Sequence, residues 1–505
     1  MPGSTRLFRS CALAGLLLSV WPAGTLQAKV RLPALLSDHM VLQQGVPVRV
    51  WGRAEPGEAI RVEFQGQAVT TKAGSNGRWE VCLRPLQAGG PAEMSVAGQD
   101  TIVLKDVLVG EVWVGSGQSN MQLTVSRSSN AEQEIAQADF PRIRLFQVKL
   151  TVADQPAEDV QGSWQACAPE SVRDFTAVGY FFAREIHQQR RVPVGLIQSA
   201  WGGTPAQSWT SRPALEAEPA LKFILDEWEQ VLANYPAAQQ KYEKRLEEWK
   251  AAAAAARAEG RAPAAQPPRP VGPGHQNTPG GLYNAMIAPL APYAIRGAIW
   301  YQGESNASKT HAYAYRRLFR LMIEDWRRAW ALGSFPLLFV QLANFQSNEW
   351  WPLLRESQVN TLELRQTGMA VAIDIGESKD IHPKNKQEVG RRLALAARAI
   401  AYGENLVYSG PIFRQLSKEG DRLRLWFDHV GGGLEARGGG PLAGFTVAGK
   451  DGNFVPAEAR IEGPSVVIWN PQVSEPTAVR YGWADDPVTN LINKEGLPAS
   501  PFRSE

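Results

Sequence analysis

The stretch Gly115-Ser116-Gly117-Gln118-Ser119-Asn120-Met121 closes an apolar alternation, Leu108, Val109, Val112 and Val114, that reads as a buried strand. Glycine tolerates the positive φ of a sharp strand-to-helix turn. A serine just past such a turn presents its Oγ at the carboxyl end of a sheet, with its own backbone N–H aimed at the same place. Ser119 has the placement of a nucleophile, and equally that of a helix cap in a Gly-rich turn.

A nucleophilic serine needs a base, and the chain has six histidines. His39 falls in a β-patterned N-terminal region, where a structural or surface role is the plainer reading. His187 lies on a helix, His275 in a Pro-rich stretch, His311 just before a helix and His429 in the C-terminal part. His382 alone follows an α/β-type strand, Met369 to Asp374, with acids beside it in Asp380-Ile381-His382-Pro383. A carboxylate near the imidazole would hold its tautomer and steady the imidazolium. Two further strand ends carry polar or glycine-rich turns. The run Pro193 to Ser199 leads into Ala200-Trp201-Gly202-Gly203-Thr204-Pro205, where Gly203 can offer a backbone N–H to an oxyanion or simply make a tight turn. The run Ile295 to Tyr301 leads into Gln302-Gly303-Glu304-Ser305-Asn306, at the edge where open α/β sheets bind ligands.

The elements that must position these residues form a pattern. Residues 29–107 carry short alternating runs, such as Ile60-Arg61-Val62-Glu63-Phe64 and Trp79-Glu80-Val81, separated by turns. They predict a small β-sandwich domain. Residues 108–403 alternate strands with amphipathic helices, including 175–189, 312–331 and 386–401, and predict an α/β catalytic domain. Inside it, 213–280 reads as an inserted helical hairpin that ends in an Ala run and a Pro/Gly-rich linker. Residues 404–505 return to β patterns and form a second β portion, expected to meet either the N-terminal β domain or the catalytic domain.

The first 28 residues read as an export signal: Arg6 and Arg9, then an apolar run from Cys11 to Trp21 too short to span a bilayer. No second membrane segment follows, so the mature protein is expected in the periplasm or outside the cell. Its removal takes the formal charge from +3 to +1, which points to neither nucleic acid nor a membrane surface. Cys82 and Cys167 remain, in different domains, and are expected as free, buried thiols. No metal-ligand spacing is present. The 17 tryptophans hint at sugar stacking, though most tryptophans in a large protein are core.

Four ordered blocks now carry a resemblance. Gly117-Gln118-Ser119-Asn120-Met121, Trp201-Gly202-Gly203-Thr204, Trp300-Tyr301-Gln302-Gly303-Glu304-Ser305-Asn306 and Asp380-Ile381-His382-Pro383 resemble those of sialate O-acetylesterases, within the SGNH-hydrolase superfamily. The resemblance implies a three-layer, flavodoxin-like α/β catalytic domain and a serine esterase, without metal or cofactor, that removes O-acetyl groups from sialic acids. Related enzymes deacetylate xylan or other plant polysaccharides, and a carbohydrate-binding protein without catalysis is the third reading. The usual acid of the superfamily stands three residues before the histidine, where this chain has Lys379. Asp380 is then the first candidate, Glu304 its rival and Asp374 a weaker one, and a Ser–His dyad is the other possibility. The superfamily's oxyanion asparagine carries over to Gln302 or, second, to Asn306. The oxyanion hole is thus expected from Ser119, Gly203 and Gln302, and substrate contacts from Gln118, Asn120 and Asn306.

Overall fold

The computed structural model describes Gly3, residues 30–347 and residues 349–505. Apart from Gly3, the expected export signal lies outside the described residues. The N-terminal part holds β1 (Val41–Gln43), β2 (Val48–Arg53), β3 (Ala59–Phe64), β4 (Gln67–Lys72), β5 (Arg78–Leu83), β6 (Gly89–Ala97) and β7 (Thr101–Gly117). Strict alternation in β3 and β5 turns Ile60, Val62, Phe64, Trp79, Val81 and Leu83 inward. The same alternation turns Cys82 outward. It is exposed, contrary to expectation, whereas Cys167 is buried; both thiols are free.

The expected boundary at 107/108 falls inside β7, a single 17-residue strand. Its first half pairs antiparallel with β6, and its second half pairs parallel with catalytic-domain strands. The change of sheet follows Asp106, which has φ 55°. Its carboxylate accepts hydrogen bonds from Arg144 Nη1 at 2.6 Å and Nη2 at 3.0 Å, and it lies 2.7 Å from His39 Nδ1. His39 therefore helps hold this bend.

The catalytic sheet adds β8 (Phe140–Gln147), β9 (Trp164–Cys167), β10 (Val194–Ala200), β11 (Gly297–Tyr301), β12 (Leu337–Gln341) and β13 (Thr367–Val371). Its order is β13-β12-β11-β7-β10-β8-β9, parallel throughout except for β9 against β8. Every residue of β10 to β13 is buried, as expected of parallel strands covered by helices. The helix Ala177–Arg190 packs on β8 and β10 and against the helix Lys386–Ile400, which itself packs on β12 and β13. Trp113, Trp209, Trp300, Trp326 and Trp330 are fully buried, so much of the tryptophan content serves the core.

After the short helix Arg212–Glu216 and the turn Pro219–Leu221, the inserted segment holds one 37-residue helix, Lys222–Ala258, rather than a helical hairpin. Pro263, Pro267, Pro268, Pro270 and Pro273 cannot continue a helix, so the chain returns in an extended arm. That arm is fastened along the helix by Trp249 Nε1 donating to Ala264 O at 2.8 Å and Gln266 Nε2 to Tyr242 OH at 3.4 Å.

Residues beyond 411 form two four-stranded antiparallel sheets and a two-stranded ribbon, with their own apolar core around Leu423, Leu425, Val447, Val466, Ile468 and Val479. This portion packs on the catalytic domain. The buried guanidinium of Arg355 makes the joint, donating to the carbonyls of Leu342, Ala343, Ala484 and Asp485 at 2.7–2.9 Å. Among the described residues no helix is long and apolar enough to cross a membrane.

Candidate active site

Register brings the site together. Gly117 is level with Ala200 of β10 on one side and with Tyr301 of β11 on the other. The three turns that follow these residues leave the sheet side by side. Gly117, at φ 135°, sends the chain into Gln118, whose N–H donates to Tyr301 O at 3.0 Å, and a short helix starts at Ser119. Trp201 N–H donates to Gly117 O at 3.1 Å and seats the glycine loop beside it. A Cβ added at Gly202 would lie 3.3 Å from Ser119 Cβ, so the loop passes directly against the serine. Gly203 follows with φ 73°.

His382 comes from the far edge of the sheet. The chain leaves β13, loops back over the carboxyl ends of its neighbours and enters the helix Lys386–Ile400. His382 Nε2 lies 2.9 Å from Ser119 Oγ, within hydrogen-bond distance. Burial pulls the imidazole below its usual value of 6.5; Asp380 works in the opposite direction, and the positive charges of Lys386 and Arg127 reinforce the fall. A base held neutral in this way can accept the serine proton in mildly acidic solution.

The three candidate acids differ sharply. Asp380 Oδ1 lies 3.8 Å from His382 Nδ1, an ion-pair distance and too long for a hydrogen bond. The same oxygen accepts the backbone N–H of His382 at 2.9 Å. Glu304 does not meet the imidazole: its Oε1 accepts from Asn120 Nδ2 at 2.6 Å, and burial raises its pKa. Asp374 is bound by Arg392 at 2.6 and 2.9 Å and by Arg437 at 2.6 Å, which leaves it no part beside the histidine.

Several polar residues expected at the substrate are occupied elsewhere. Gln302 is fully buried; its amide donates to Asn306 Oδ1 at 2.7 Å and Thr204 O at 3.3 Å, and its oxygen accepts from Tyr315 OH at 2.9 Å. Both amide hydrogens are used, so Gln302 braces the glycine loop instead of facing an oxyanion. Asn306 Oδ1 also accepts from Ala206 N–H, and its Nδ2 donates to Gln207 Oε1, both at 2.9 Å. Asn120 is buried and gives its amide hydrogens to Glu304 and to Ile381 O, the latter at 2.9 Å. Neither asparagine is placed to meet substrate. Gln118 uses Oε1 to accept from Ser305 N–H at 3.1 Å.

Three residues escape a reading of the sequence. Gln122 Oε1 accepts from Gly202 N–H at 2.8 Å, and Gln276 Nε2, on the Pro-rich arm, donates to Gly202 O at 3.0 Å; together they hold the glycine loop from both sides. Lys386 is fully buried beneath Asn120. It opens a helix, where the macrodipole disfavours a cation, and that misplaced charge is the signal that marks it. Among the described residues, no group of three or more His, Cys, Asp and Glu side chains is arranged to hold a metal ion.

The chain is similar to known proteins over most of its length. Residues 109–260 and 273–399 match the profile of the family described as carbohydrate esterase, sialic acid-specific acetylesterase. The chain is 34% identical over 442 residues to sialate O-acetylesterase of Mus musculus, covering 76% of each chain. It is 32% identical over 439 residues to sialate O-acetylesterase of Homo sapiens, covering 78% of this chain and 76% of that protein. A crystal structure of a carbohydrate acetylesterase from Xanthomonas citri superposes with a TM-score of 0.81 at 40% identity, covering 94% of this chain and all of the other.

Proposed function

Because the chain belongs to the family of sialic acid-specific acetylesterases, and is a carboxylic ester hydrolase, we propose that it is an exported esterase that removes O-acetyl groups from sialic acids through an acetyl-serine intermediate. The observation that carries the chemistry is the 2.9 Å contact between Ser119 Oγ and His382 Nε2 at the carboxyl edge of a parallel sheet. His382 takes the proton as Ser119 Oγ attacks the acetyl carbonyl. The oxyanion forms against the backbone N–H groups of Ser119 and Gly203, held by the Gln122 and Gln276 contacts to Gly202. The C–O bond breaks, the sugar alcohol leaves with the proton from His382, and water activated by the same imidazole releases acetate. The catalytic part is read as an SGNH-type domain flanked by β portions.

Asp380 acts on His382 through space and through its backbone N–H. Asp380→Asn should therefore cost less than about tenfold in kcat, where an acid hydrogen-bonded to Nδ1 would cost about 10⁴-fold. Removing its charge also removes the one influence that raises the imidazole, so the acidic limb of kcat/KM moves to lower pH. A 10⁴-fold loss would make Asp380 a full triad member, and a limb that stayed fixed would mean that its charge does not reach His382.

A second reading, acetylated plant polysaccharide as substrate, draws on the Xanthomonas citri carbohydrate acetylesterase at 40% identity. Acetate release from 9-O-acetylated sialic acid and from acetylated xylan, measured side by side, decides between them. The sialate reading requires the higher kcat/KM on the sialic acid. Glycan binding without acetate release from either would make the chain a binding protein.

A further inference from the structure

A buried polar chain runs beneath the serine and the histidine, and the reaction above does not use it. Asn120 directly follows the nucleophile, and Ile381 directly precedes the base. Lys386 Nζ donates to Asn120 Oδ1 at 2.5 Å. Asn120 Nδ2 donates to Glu304 Oε1 at 2.6 Å and to Ile381 O at 2.9 Å. The Lys386 ammonium also lies over the Tyr301 ring, 5.0 Å from its centroid. No direct ion pair joins Lys386 and Glu304 among the described residues; the Asn120 amide stands between them.

We propose that Lys386 is a positioning residue: through Asn120 it locks the Ser119 turn to the His382 loop, with Glu304 anchoring the other end. The argument rests on the esterase reading and on donor and acceptor chemistry. A charged lysine donates only, so Asn120 turns its oxygen toward the Lys386 ammonium. Both amide hydrogens then face Glu304 and the Ile381 carbonyl. Flipped, the amide would set its oxygen against two other oxygens and release the histidine loop. Burial pushes Lys386 down to about 7 and Glu304 upward. Charged or neutral, the lysine nitrogen still donates and a Glu304 oxygen still accepts, so the lock survives proton transfer between them. A fully buried lysine is costly wherever it sits. Here it stands where its donor hydrogens fix, through Asn120, the relation of nucleophile to base.

The test uses the full chain and p-nitrophenyl acetate, so that it does not depend on the identity of the sugar. Lys386→Met should lower kcat about 100-fold, the cost of a misplacement of roughly 1 Å, with KM changed less than about threefold. Its acidic limb should move to higher pH, because a positive charge that depresses His382 is gone. Asn120→Leu should lower kcat similarly, and the double variant should lose no more than either single one, since both break one connection. Glu304→Gln, which keeps an accepting oxygen, should retain at least about ten times the activity of Glu304→Leu, by the conservative-variant logic applied to catalytic units. Unfolding midpoints of each variant separate lost positioning from lost folding. The lock is overturned if folded Lys386→Met keeps its kcat, if the two single losses multiply, or if Glu304→Gln is as inactive as Glu304→Leu. Wild-type protein inactive on p-nitrophenyl acetate and on both acetylated glycans would overturn the esterase reading itself, and the lock with it.

Discussion

Ser119→Ala is expected to lower acetate release about 10⁶-fold, His382→Ala about as much, and the two together no further. The geometry demands this non-additivity. A serine hydroxyl is a poor nucleophile unless its proton leaves as it attacks, and Nε2 at 2.9 Å is placed to take it. Without the imidazole the hydroxyl does not react; without the hydroxyl the imidazole has no proton to accept. What remains in each variant is the proposed oxyanion site, since alanine at 119 keeps its backbone N–H and the Gly203 loop is untouched. That residue of catalysis is worth about 10³–10⁴ over water in comparable enzymes. Single-turnover acetate release with each variant measures the loss, and intact-protein mass after rapid acid quench should find the acetyl adduct on wild type and not on Ser119→Ala. Undiminished turnover by the alanine variant would remove Ser119 from the mechanism. Losses that multiplied would mean that serine and histidine serve separate steps.

Much of this site is legible without coordinates, for a physical reason. Ser119, Gly203 and His382 each follow an apolar run long enough to be a buried strand, and parallel strands deliver their turns to one edge. The equal register of Gly117, Ala200 and Tyr301 completes what the runs suggest. The polar residues beside them are harder to read. A glutamine or asparagine at a strand's carboxyl end either faces ligand or satisfies buried loop backbone, and the residue type serves both. Gln302 and Asn306 took the second fate because the loop from Thr204 to Gln207 folds over them and needs partners for its carbonyl, amide and side chain. Asn120 did so because Lys386 and Glu304 close around it. Domain limits were obscured for a related reason. The β pattern of residues 101–107 and the α/β pattern after 108 belong to one continuous strand, so no polar linker marks the change. The insertion reads as a hairpin because its helical period and Ala run dominate the pattern, and prolines that force an extended return along a helix look the same in sequence as those of a linker.

Gly117→Ala is expected to destabilise the protein by about 4–5 kcal/mol, far above the ordinary range for one methyl group. Two costs coincide there. The backbone stands at φ 135°, a region in which residues other than glycine are strained by about 1–3 kcal/mol. The new Cβ would also lie 2.2 Å from Tyr301 O and 2.7 Å from its carbonyl carbon, and those atoms belong to the neighbouring strand. A flexible side chain could yield, but the β11 backbone at this point is paired with β7. The strands must part, which breaks the Gln118 N–H to Tyr301 O hydrogen bond and disturbs the Trp201 N–H to Gly117 O contact. The nucleophile turn and the glycine loop are seated on those two bonds, so activity should fall together with stability. Gly260→Ala is the matched control. It also has positive φ, 71°, but open space where the Cβ would go, so only the conformational cost of about 1–2 kcal/mol applies. Urea unfolding, with kcat measured on the folded fraction, gives both quantities. Equal losses in the two variants would show that conformation alone sets the cost and that β7 and β11 can separate freely at this level. A large loss confined to Gly117→Ala, with kcat falling alongside, would show that the nucleophile is held in place by the close contact of two strands at a residue with no side chain.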